Sequence, residues 1–405
     1  MDYQGNPLEN FGDKAYEAGK SIGVISSVQF AHATPAAFAA HNISRNNYAA
    51  IANEMLINSK CSVIMGCGAP DFDDNGNPKT PTNYNYVGGL STWNELLAGG
   101  TTTFTASVNG NSTVQDINGD GNPDAWTLIR DSIEFANMGS GSTPLRVLGL
   151  PKVASTLQQG RARSGNPMAY EVPFNDNIPT LADMTRAAIN VLDNNANGFA
   201  IVIEGGAIDW AGHANQMDRT IEEQHDFDVA VQAVIDWVNA NSSWDETLLL
   251  ITGDHESGYL VGPDYTNANL INGFDIINNG AGSHPSGKFL SGDHTNQLLP
   301  LFIHGAGASN FAKYSTNLDK VRGSYMHNSE TGAGIIELLS VLPAAGPSII
   351  PGSIANTWTG AVSSNWFDAA NWANSTVPDA TTDVDPLQDA TTGDDLDRTP
   401  IVLTA

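Results

Sequence analysis

Two pairs of aspartate and histidine residues each follow a stretch of apolar residues by a few positions at most. Asp209 and His213 come after Phe199–Ile203, and Asp254 and His255 come after a second apolar stretch. A helical turn would place Asp209 and His213 on one face, where a carboxylate oxygen and an imidazole nitrogen can bind one zinc ion. Such a pair is also common on protein surfaces, but an aspartate beside a core strand is costly to bury without a metal or a partner. The repeated pattern therefore indicates metal ligands.

A further histidine stands in the segment Asp293-His294-Thr295, just before another apolar stretch. A single histidine is a weaker indication of a metal site than a pair, because most histidines are not ligands. His284, in a nearby loop rich in Gly, Ser and Pro, competes for the same role. From the residues alone, both histidines stay candidates.

A fourth polar cluster follows the first apolar stretch of the chain. It contains His32 and Thr34, and Arg45 comes thirteen residues after His32. The planar guanidinium of arginine can bind two phosphate oxygens at once. The alternatives are a helix cap for His32 and a surface ion pair for Arg45. Together the four clusters, the first of which begins at Glu204, supply His, Asp, Glu, Thr and Arg. This set of side chains fits a metal-assisted phosphoryl-transfer site.

Short apolar runs alternate with helical patterns over the first 345 residues or so. This alternation predicts an α/β fold with a mostly parallel central sheet and helices on both faces, a three-layer α/β/α sandwich. Because parallel strands end at the same edge of a sheet, the polar clusters that follow them are expected to converge there. The predicted strands are Ser21–Ser27, Ser62–Met65, Phe199–Ile203, Leu248–Thr252 and Leu299–His304.

Two helices are well marked in the sequence. Thr180 and Asp183 form a capping signature, and apolar residues then recur at helical spacing as far as Leu192. A second helix is predicted at Arg219–Asn239. Its apolar side consists of Phe227, Val231, Val234 and Val238.

The charge of the chain limits its partners. It has 17 Lys and Arg against 44 Asp and Glu, a formal net charge of −27. A surface of this sign repels nucleic acids and anionic lipids, so neither is an expected partner. No apolar run reaches the roughly 18 residues that a membrane span requires. The excess of acidic residues is consistent with general solubility or adaptation to salty surroundings, and also with the binding of metal cations.

The two ends of the chain differ from its centre. The residues after Met1 lack the basic and apolar regions of a signal peptide, and we expect the natural N-terminus to lie upstream, in a secreted or periplasmic protein. Residues 346–355 are predicted to be a linker, and residues 356–405 the start of a β-rich surface module or a disordered tail. Ile401–Leu403 reads as a strand without a visible partner. Cys61 and Cys67 are expected to be reduced, because an extended segment of this length holds them too far apart for a disulfide.

The motifs together resemble those of the alkaline phosphatase family, in order and with similar intervals, over roughly residues 6–342. The resemblance implies the three-layer α/β/α fold of that family, with residues 1–345 as the catalytic domain. It also allows a homodimer. The motifs are His32-Ala-Thr-Pro-Ala36 with Arg45, Glu204-Gly-Gly-Ala-Ile-Asp209 with His213, Asp254-His255, and His294-Thr295.

The resemblance also implies a role for each matching residue. Asp209, His213 and His294 would bind a first zinc ion. Asp254 and His255 would bind a second zinc ion. Glu204 and Thr34 would bind magnesium, and Arg45 would hold the phosphate. His32 and Trp210 stand where family members vary, at positions that tune magnesium and phosphate binding.

The implied reaction is the hydrolysis of phosphate monoesters in two steps through a phosphoserine. Family members carry an aspartate ligand and an Asp-Ser-Ala nucleophile upstream of the segment that matches Gly19–Ser27, and no residue of this chain fits there. Asp131-Ser132 is the single Asp-Ser pair, but it lies far downstream. We therefore expect this chain to be nearly inactive by itself. The alternatives are a phosphodiesterase or sulfatase-like relative and a metal- or phosphate-binding surface protein without catalysis.

Two loops have oxygen-bearing side chains at alternate positions, as calcium-binding loops do. In the first, Asp116 to Asp124, these residues precede and follow a glycine at the turn, but the closing glutamate of a full EF-hand is absent. The second, Asp71 to Asn75, is weaker because Lys79 stands at a ligand position. A plain polar turn is the alternative for each. The candidate calcium ligands are Asp116, Asn118, Asp120 and Asp124.

Overall fold

A computed structural model describes residues 6–266, 273–320, 322–340 and 399–404 of the chain. The described part contains nine α-helices and two 3₁₀ helices, Asn85–Val87 and Ala308–Tyr314. The α-helices are α1 Phe11–Glu17, α2 Ala33–Ala39, α3 Tyr48–Ile57, α4 Leu90–Ala98, α5 Ser132–Met138, α6 Leu181–Leu192, α7 Ala207–His213, α8 Met217–Asn241 and α9 Asn328–Ser340.

Sixteen β-strands lie between these helices in the described ranges. Ten come before residue 262: β1 Ser21–Gln29, β2 Val63–Cys67, β3 Thr103–Val108, β4 Asn111–Thr113, β5 Thr127–Ile129, β6 Val147–Gly149, β7 Phe199–Glu204, β8 Thr247–Thr252, β9 Glu256–Ser257 and β10 Leu260–Val261. The others are β11 Lys288–Phe289, β12 His294–Thr295, β13 Phe302–Gly305, β14 Asn317–Asp319, β15 Gly323–Tyr325 and β16 Thr399–Thr404.

Eight strands form the central sheet, in the order β13-β8-β16-β7-β1-β2-β6-β5. All neighbours pair in parallel except β13 and β8, which are antiparallel. The predicted α/β fold with a mostly parallel sheet is therefore confirmed. Parallel pairing of β1 with β7 brings Ser26 level with Glu204, so the ends of these two strands meet at one edge of the sheet.

Side chains of the central strands alternate between two hydrophobic cores, one on each face of the sheet, because successive residues of a strand point to opposite faces. In β7, Ala200 and Val202 belong to one core and Ile201 and Ile203 to the other. The first core also contains buried residues of α1, α2, α3, α4 and α9, and the second contains those of α5, α6 and α8. Helices thus cover both faces of the sheet.

The two helices that were predicted from pattern are both present. Thr180 accepts a hydrogen bond from the backbone of Asp183, and the Asp183 side chain accepts one from the backbone of Thr180, which completes the predicted capping box. The predicted helix at Arg219–Asn239 corresponds to α8, and Phe227, Val234 and Val238 on it are buried.

Two expectations about strands are wrong. Ile401–Leu403 was expected to lack a partner, but β16 lies between β7 and β8 and pairs in parallel with both. The predicted strand Leu299–His304 begins only at Phe302. Pro300 has no N–H to donate to a neighbouring strand, so a strand cannot pair regularly through this position. Residues 346–355 and most of 356–405, the predicted linker and module, lie outside the described residues.

Cys61 and Cys67 are free and buried, as expected. Burial raises the pKa of the Cys61 thiol to about 11, so it stays protonated at neutral pH. Across the described ranges, no helix combines the length and the apolar character that crossing a membrane requires.

Candidate functional site

One cavity of about 580 Å³ opens at the edge of the sheet where β1, β7 and β8 end. It is lined by every residue to which the sequence assigned a zinc, magnesium or phosphate role. They are His32, Thr34, Arg45, Glu204, Asp209, Trp210, His213, Asp254, His255 and His294.

The turn between β7 and α7 positions the first group of these side chains. Glu204 is the last residue of β7, and Asp209 and His213 lie one helical turn apart on α7. The spacing brings His213 Nε2 to 3.3 Å from Asp209 Oδ1. The two side chains thus lie on one face of α7, as their spacing predicted.

Asp209 lies at the centre of a cluster of imidazoles. Its Oδ1 is 3.2 Å from His294 Nε2 and 3.9 Å from His255 Nδ1, and it also accepts a hydrogen bond from Ser257 Oγ. Donor atoms of Asp209, His255 and His294 lie close enough together to bind a single metal ion. One carboxylate oxygen among imidazole nitrogens is the kind of donor set that zinc prefers.

His213 and His294 approach each other from different parts of the fold. Antiparallel pairing of β12 with β9 places His294 opposite Ser257, and the His294 ring stacks on that of His255 with centroids 3.5 Å apart. His213 Nε2 lies 3.0 Å from His294 Nε2. The three imidazoles therefore converge on the Asp209 carboxylate.

The second aspartate–histidine pair directly follows β8. Asp254 Oδ2 lies 3.1 Å from His255 Nε2, and half of the Asp254 side chain is exposed to the cavity and solvent. His255 thus has Asp254 on one side of its ring and Asp209 on the other. His255 could therefore bind a metal ion together with Asp254 or together with Asp209.

Glu204 is the buried carboxylate of the site. It accepts hydrogen bonds from the hydroxyls of Ser26 and Thr34. Burial raises the pKa of the Glu204 carboxyl to about 7, although these hydrogen bonds favour its ionised form. No Lys or Arg within the described ranges forms an ion pair with it. Hydroxyl and carboxylate oxygens are ligands that magnesium prefers, so the chemistry of Glu204 and Thr34 fits that ion.

Arg45, His32 and Trp210 also line the cavity. Arg45 has no carboxylate partner among the described residues, which argues against the alternative of a surface ion pair. His32 precedes α2, and its ring lies between Tyr48 at 6.1 Å and Trp210 at 5.6 Å, centroid to centroid. Burial and the positive charge of Arg45 lower the pKa of His32 to about 4, so its imidazole is neutral at neutral pH.

The other sequence candidates lie outside this cavity. Asp131 precedes α5 and forms an ion pair with Lys152, so the Asp131-Ser132 pair is a helix start. In the first calcium-like loop, Asp116 accepts hydrogen bonds from the backbone of that loop. In the second, Asp71 forms a bidentate ion pair with Arg130, which supports a structural role for that turn. His284 is likewise absent from the cavity lining.

Several residues of the site were missed in the sequence. Ser257 and the carbonyl of Gly292 hold Asp209 and His213 in place, and Gln159 lines the cavity. None of them stands in a motif, and all come from loops or very short strands. No local pattern could have identified them.

The sequence is similar to a known protein family and to several of its members. The family model described as "Alkaline phosphatase" matches residues 1–284. The chain is 28% identical over 274 residues to alkaline phosphatase 3 of Bacillus subtilis, an alignment that covers 65% of this chain and 46% of that protein. It is 27% identical over 336 residues to alkaline phosphatase of Escherichia coli, with 76% and 64% covered. The chain thus spans about half to two thirds of the length of these relatives.

The fold is also similar to solved structures. A cold-active alkaline phosphatase from a psychrophile, Shewanella sp., aligns with a TM-score of 0.55 and 22% identity over 85% of this chain and 81% of that one. Alkaline phosphatase from the Antarctic bacterium TAB5 aligns with a TM-score of 0.52 and 21% identity over 84% and 78%. Since the family model matches well over half of the residues and the fold agrees, this chain belongs to the alkaline phosphatase family.

Proposed function

We propose that the cavity is a site for the hydrolysis of phosphate monoesters to an alcohol and inorganic phosphate. One observation carries the proposal: the ten residues that match the family motifs, spread from His32 to His294, all line a single cavity. Their side chains are of the types that bind metal ions and phosphate, so their meeting in one cavity supports a common ligand. The secreted or periplasmic location and the homodimer are also proposals, and they rest on the resemblance alone.

The metals of the proposal are two zinc ions and one magnesium ion. Asp209, His213 and His294 would hold the first zinc. The second zinc would be held by Asp254 and His255. Magnesium would be held by Glu204 and Thr34, which are already hydrogen-bonded to each other. When bound, these cations stabilise the negative charge that develops on the phosphoryl oxygens.

Arg45 supplies the positive charge that the protein itself contributes to phosphate binding. Its guanidinium can donate two parallel hydrogen bonds to phosphate oxygens, and no carboxylate in the described part of the chain competes for it. The His32 imidazole beside it is neutral, so it can hydrogen-bond to a ligand without adding charge. The Trp210 ring packs edge-to-face against the ring of His32.

The nucleophile is the part of the reaction for which the cavity offers least. Of the residues that line it, Thr34 is the one with a hydroxyl, and that hydroxyl is engaged by Glu204. We therefore propose that the 405-residue chain binds metal and phosphate but turns over phosphate monoesters slowly. A chain extended at its N-terminus by a segment that carries an Asp-Ser-Ala nucleophile is expected to be much faster, because a serine nucleophile divides hydrolysis into two easier steps.

The test is a hydrolysis assay with a chromogenic phosphate monoester, in zinc and magnesium, on the 405-residue chain and on the extended chain. Binding of inorganic phosphate is measured by calorimetry on both. The proposal expects phosphate binding by both proteins and fast turnover by the extended one alone. Equal turnover would contradict the assignment of the nucleophile, and phosphate binding without turnover in either would favour the alternative of a binding protein without catalysis.

A further inference from the structure

Gln159 is the one carboxamide side chain that lines the cavity. Its Nε2 donates a hydrogen bond to Oε1 of Gln216 at 3.0 Å. An amide carbonyl can accept two hydrogen bonds, and the described residues provide none to Gln159 Oε1. Gln159 thus brings to the cavity lining a neutral side chain whose carbonyl oxygen has no donor among the described residues.

Gln216 is itself held firmly, so it fixes one end of the Gln159 amide. Its backbone N–H donates to the carbonyl of Ala211 at 2.9 Å, and its own carbonyl accepts from Thr220 at 2.8 Å. Gln216 directly precedes α8 and lies three residues after His213. The amide of Gln159 is thereby tied to the same α7–α8 junction that carries the proposed metal ligands.

The backbone around Gln159 is irregular, but the chain on both sides of it is anchored. Before it, the Leu157 N–H donates to the Ser27 carbonyl of β1 at 3.0 Å. After it, the Arg161 side chain is almost fully buried and donates to the carbonyls of Gln158, Val172 and Pro173. Arg161 thus fastens two parts of this loop to each other.

A buried ion pair then fastens the loop to α8. Glu222 Oε2 accepts from Arg161 at 2.9 Å and from Arg219 at 2.8 Å, and Glu222 Oε1 accepts from the Tyr170 N–H at 2.7 Å. The side chains of Arg161 and Glu222 are each 2% exposed. Buried charges are tolerated only when well paired, so the network leaves the loop little freedom to move.

The size of the cavity leaves room beyond the phosphate. Its volume of about 580 Å³ lies in the range of sites for whole small molecules. If Arg45 and the metal ligands hold the phosphate, as proposed above, the remainder must accommodate the alcohol portion of the ester. The uncharged carbonyl of Gln159 matches a hydroxyl donor on that portion.

We propose that Gln159 is a specificity-determining residue, which accepts a hydrogen bond from a hydroxyl on the alcohol portion of a phosphate monoester. The class of substrate would be the phosphates of polyols and sugars. This inference rests on the proposed function. Gln216 is a positioning residue in it, because it acts only through Gln159.

The experiment uses two phosphonates, which resist hydrolysis and differ only in hydroxyls: 2,3-dihydroxypropylphosphonate and propylphosphonate. Their dissociation constants are measured by calorimetry on the full chain loaded with zinc and magnesium, with inorganic phosphate as a third ligand. The wild type is expected to prefer the dihydroxy compound by roughly threefold to tenfold, the worth of a neutral hydrogen bond. Gln159→Met should abolish the preference, and Gln216→Met should reduce it.

The matched control is Gln232→Met, since Gln232 lies on α8, donates a hydrogen bond to Asp236 on the same helix and is not among the residues that line the cavity. It should leave the preference unchanged. Loss of affinity for inorganic phosphate in Gln159→Met, equal to the loss for the dihydroxy compound, would overturn the assignment, as would an unchanged preference. Failure of inorganic phosphate to bind the wild type would overturn the proposed function, and this inference with it.

Discussion

His213 Nδ1 donates a hydrogen bond to the backbone carbonyl of Gly292 at 2.6 Å. A carbonyl can only accept, so Nδ1 carries the proton and Nε2 is free to bind a metal. Partners of this kind orient metal-binding histidines and fix their tautomer. The free Nε2 faces Asp209 and His294 at 3.3 Å and 3.0 Å.

This arrangement predicts that His213→Ala and His294→Ala each lower the zinc content of the purified protein. Each removes one nitrogen donor from the proposed first zinc site, and loss of a ligand weakens affinity strongly. Metal analysis after dialysis is the measurement. His304→Ala is the control, because His304 packs on Trp244 away from the cavity. Unchanged zinc in both cavity variants would contradict the first-zinc assignment.

Arg45→Ala is expected to weaken the binding of inorganic phosphate by about tenfold to a hundredfold, the typical worth of hydrogen bonds to a charged group. Zinc content should not change, because Arg45 is not a proposed ligand. Calorimetry with the metal-loaded protein measures the phosphate affinity, and metal analysis measures the zinc content. Arg186→Ala removes an exposed arginine that pairs with Asp183 and serves as the control. Phosphate affinity equal to that of the wild type would show that Arg45 is an ordinary surface arginine.

The buried carboxyl of Glu223 is expected to make the free energy of unfolding depend on pH. Burial, followed by the charge of Asp226, raises the pKa of the Glu223 carboxyl from 4.5 to about 8. The folded protein therefore keeps a proton that the unfolded chain releases, and its contribution to stability is complete below about pH 4.5 and is lost as the pH rises to about 8. Each unit between the two pKa values corresponds to about 1.4 kcal/mol.

The measurement is the free energy of unfolding in urea at pH 5 and at pH 8, for the wild type and for Glu223→Gln. The glutamine resembles the protonated acid and cannot ionise, so the variant should lose less stability over this range. Glu246→Gln, at the end of the α8–β8 connection, is the comparison for a general change of charge. A fall in stability as steep in Glu223→Gln as in the wild type would refute the role of Glu223.

Glu222→Ala is expected to destabilise the protein by roughly 3–5 kcal/mol, because it leaves Arg161 and Arg219 buried without their common partner. Thermal melting of the metal-free protein provides the measurement. Glu337→Ala breaks an exposed ion pair with Lys313 and should leave the melting temperature nearly unchanged. Similar melting temperatures for Glu222→Ala and the wild type would mean that the network does not hold the loop.

Calcium binding at Asp116, Asn118, Asp120 and Asp124 stays a prediction from the alternating oxygen pattern. Millimolar calcium is expected to raise the melting temperature of the wild type, since a ligand that binds the folded state alone stabilises it. Asp120→Asn should reduce this shift, whereas Asp73→Asn in the second loop should not. No shift in the wild type would establish the loop as a plain turn.

The local parts of this protein were determined by the sequence. Helix α6 was predicted from its capping box and apolar spacing, because both signals lie within thirteen residues and need no distant partner. The strands β7 and β8 were predicted because burial on both faces gives each of them a continuous apolar run. The polar residues at their ends followed, since parallel strands end at one edge.

Only the tertiary structure decided how the chemical groups meet. His213 and His294 are 81 residues apart, and their contact depends on the pairing of β12 with β9. Tertiary structure likewise decided that β16 lies between β7 and β8 and that Gln159 lines the cavity. Each depends on strand pairing or buried ion pairs between residues that are far apart in the sequence. A sequence pattern shows only the relations between near neighbours along the chain, so it could not reveal these contacts.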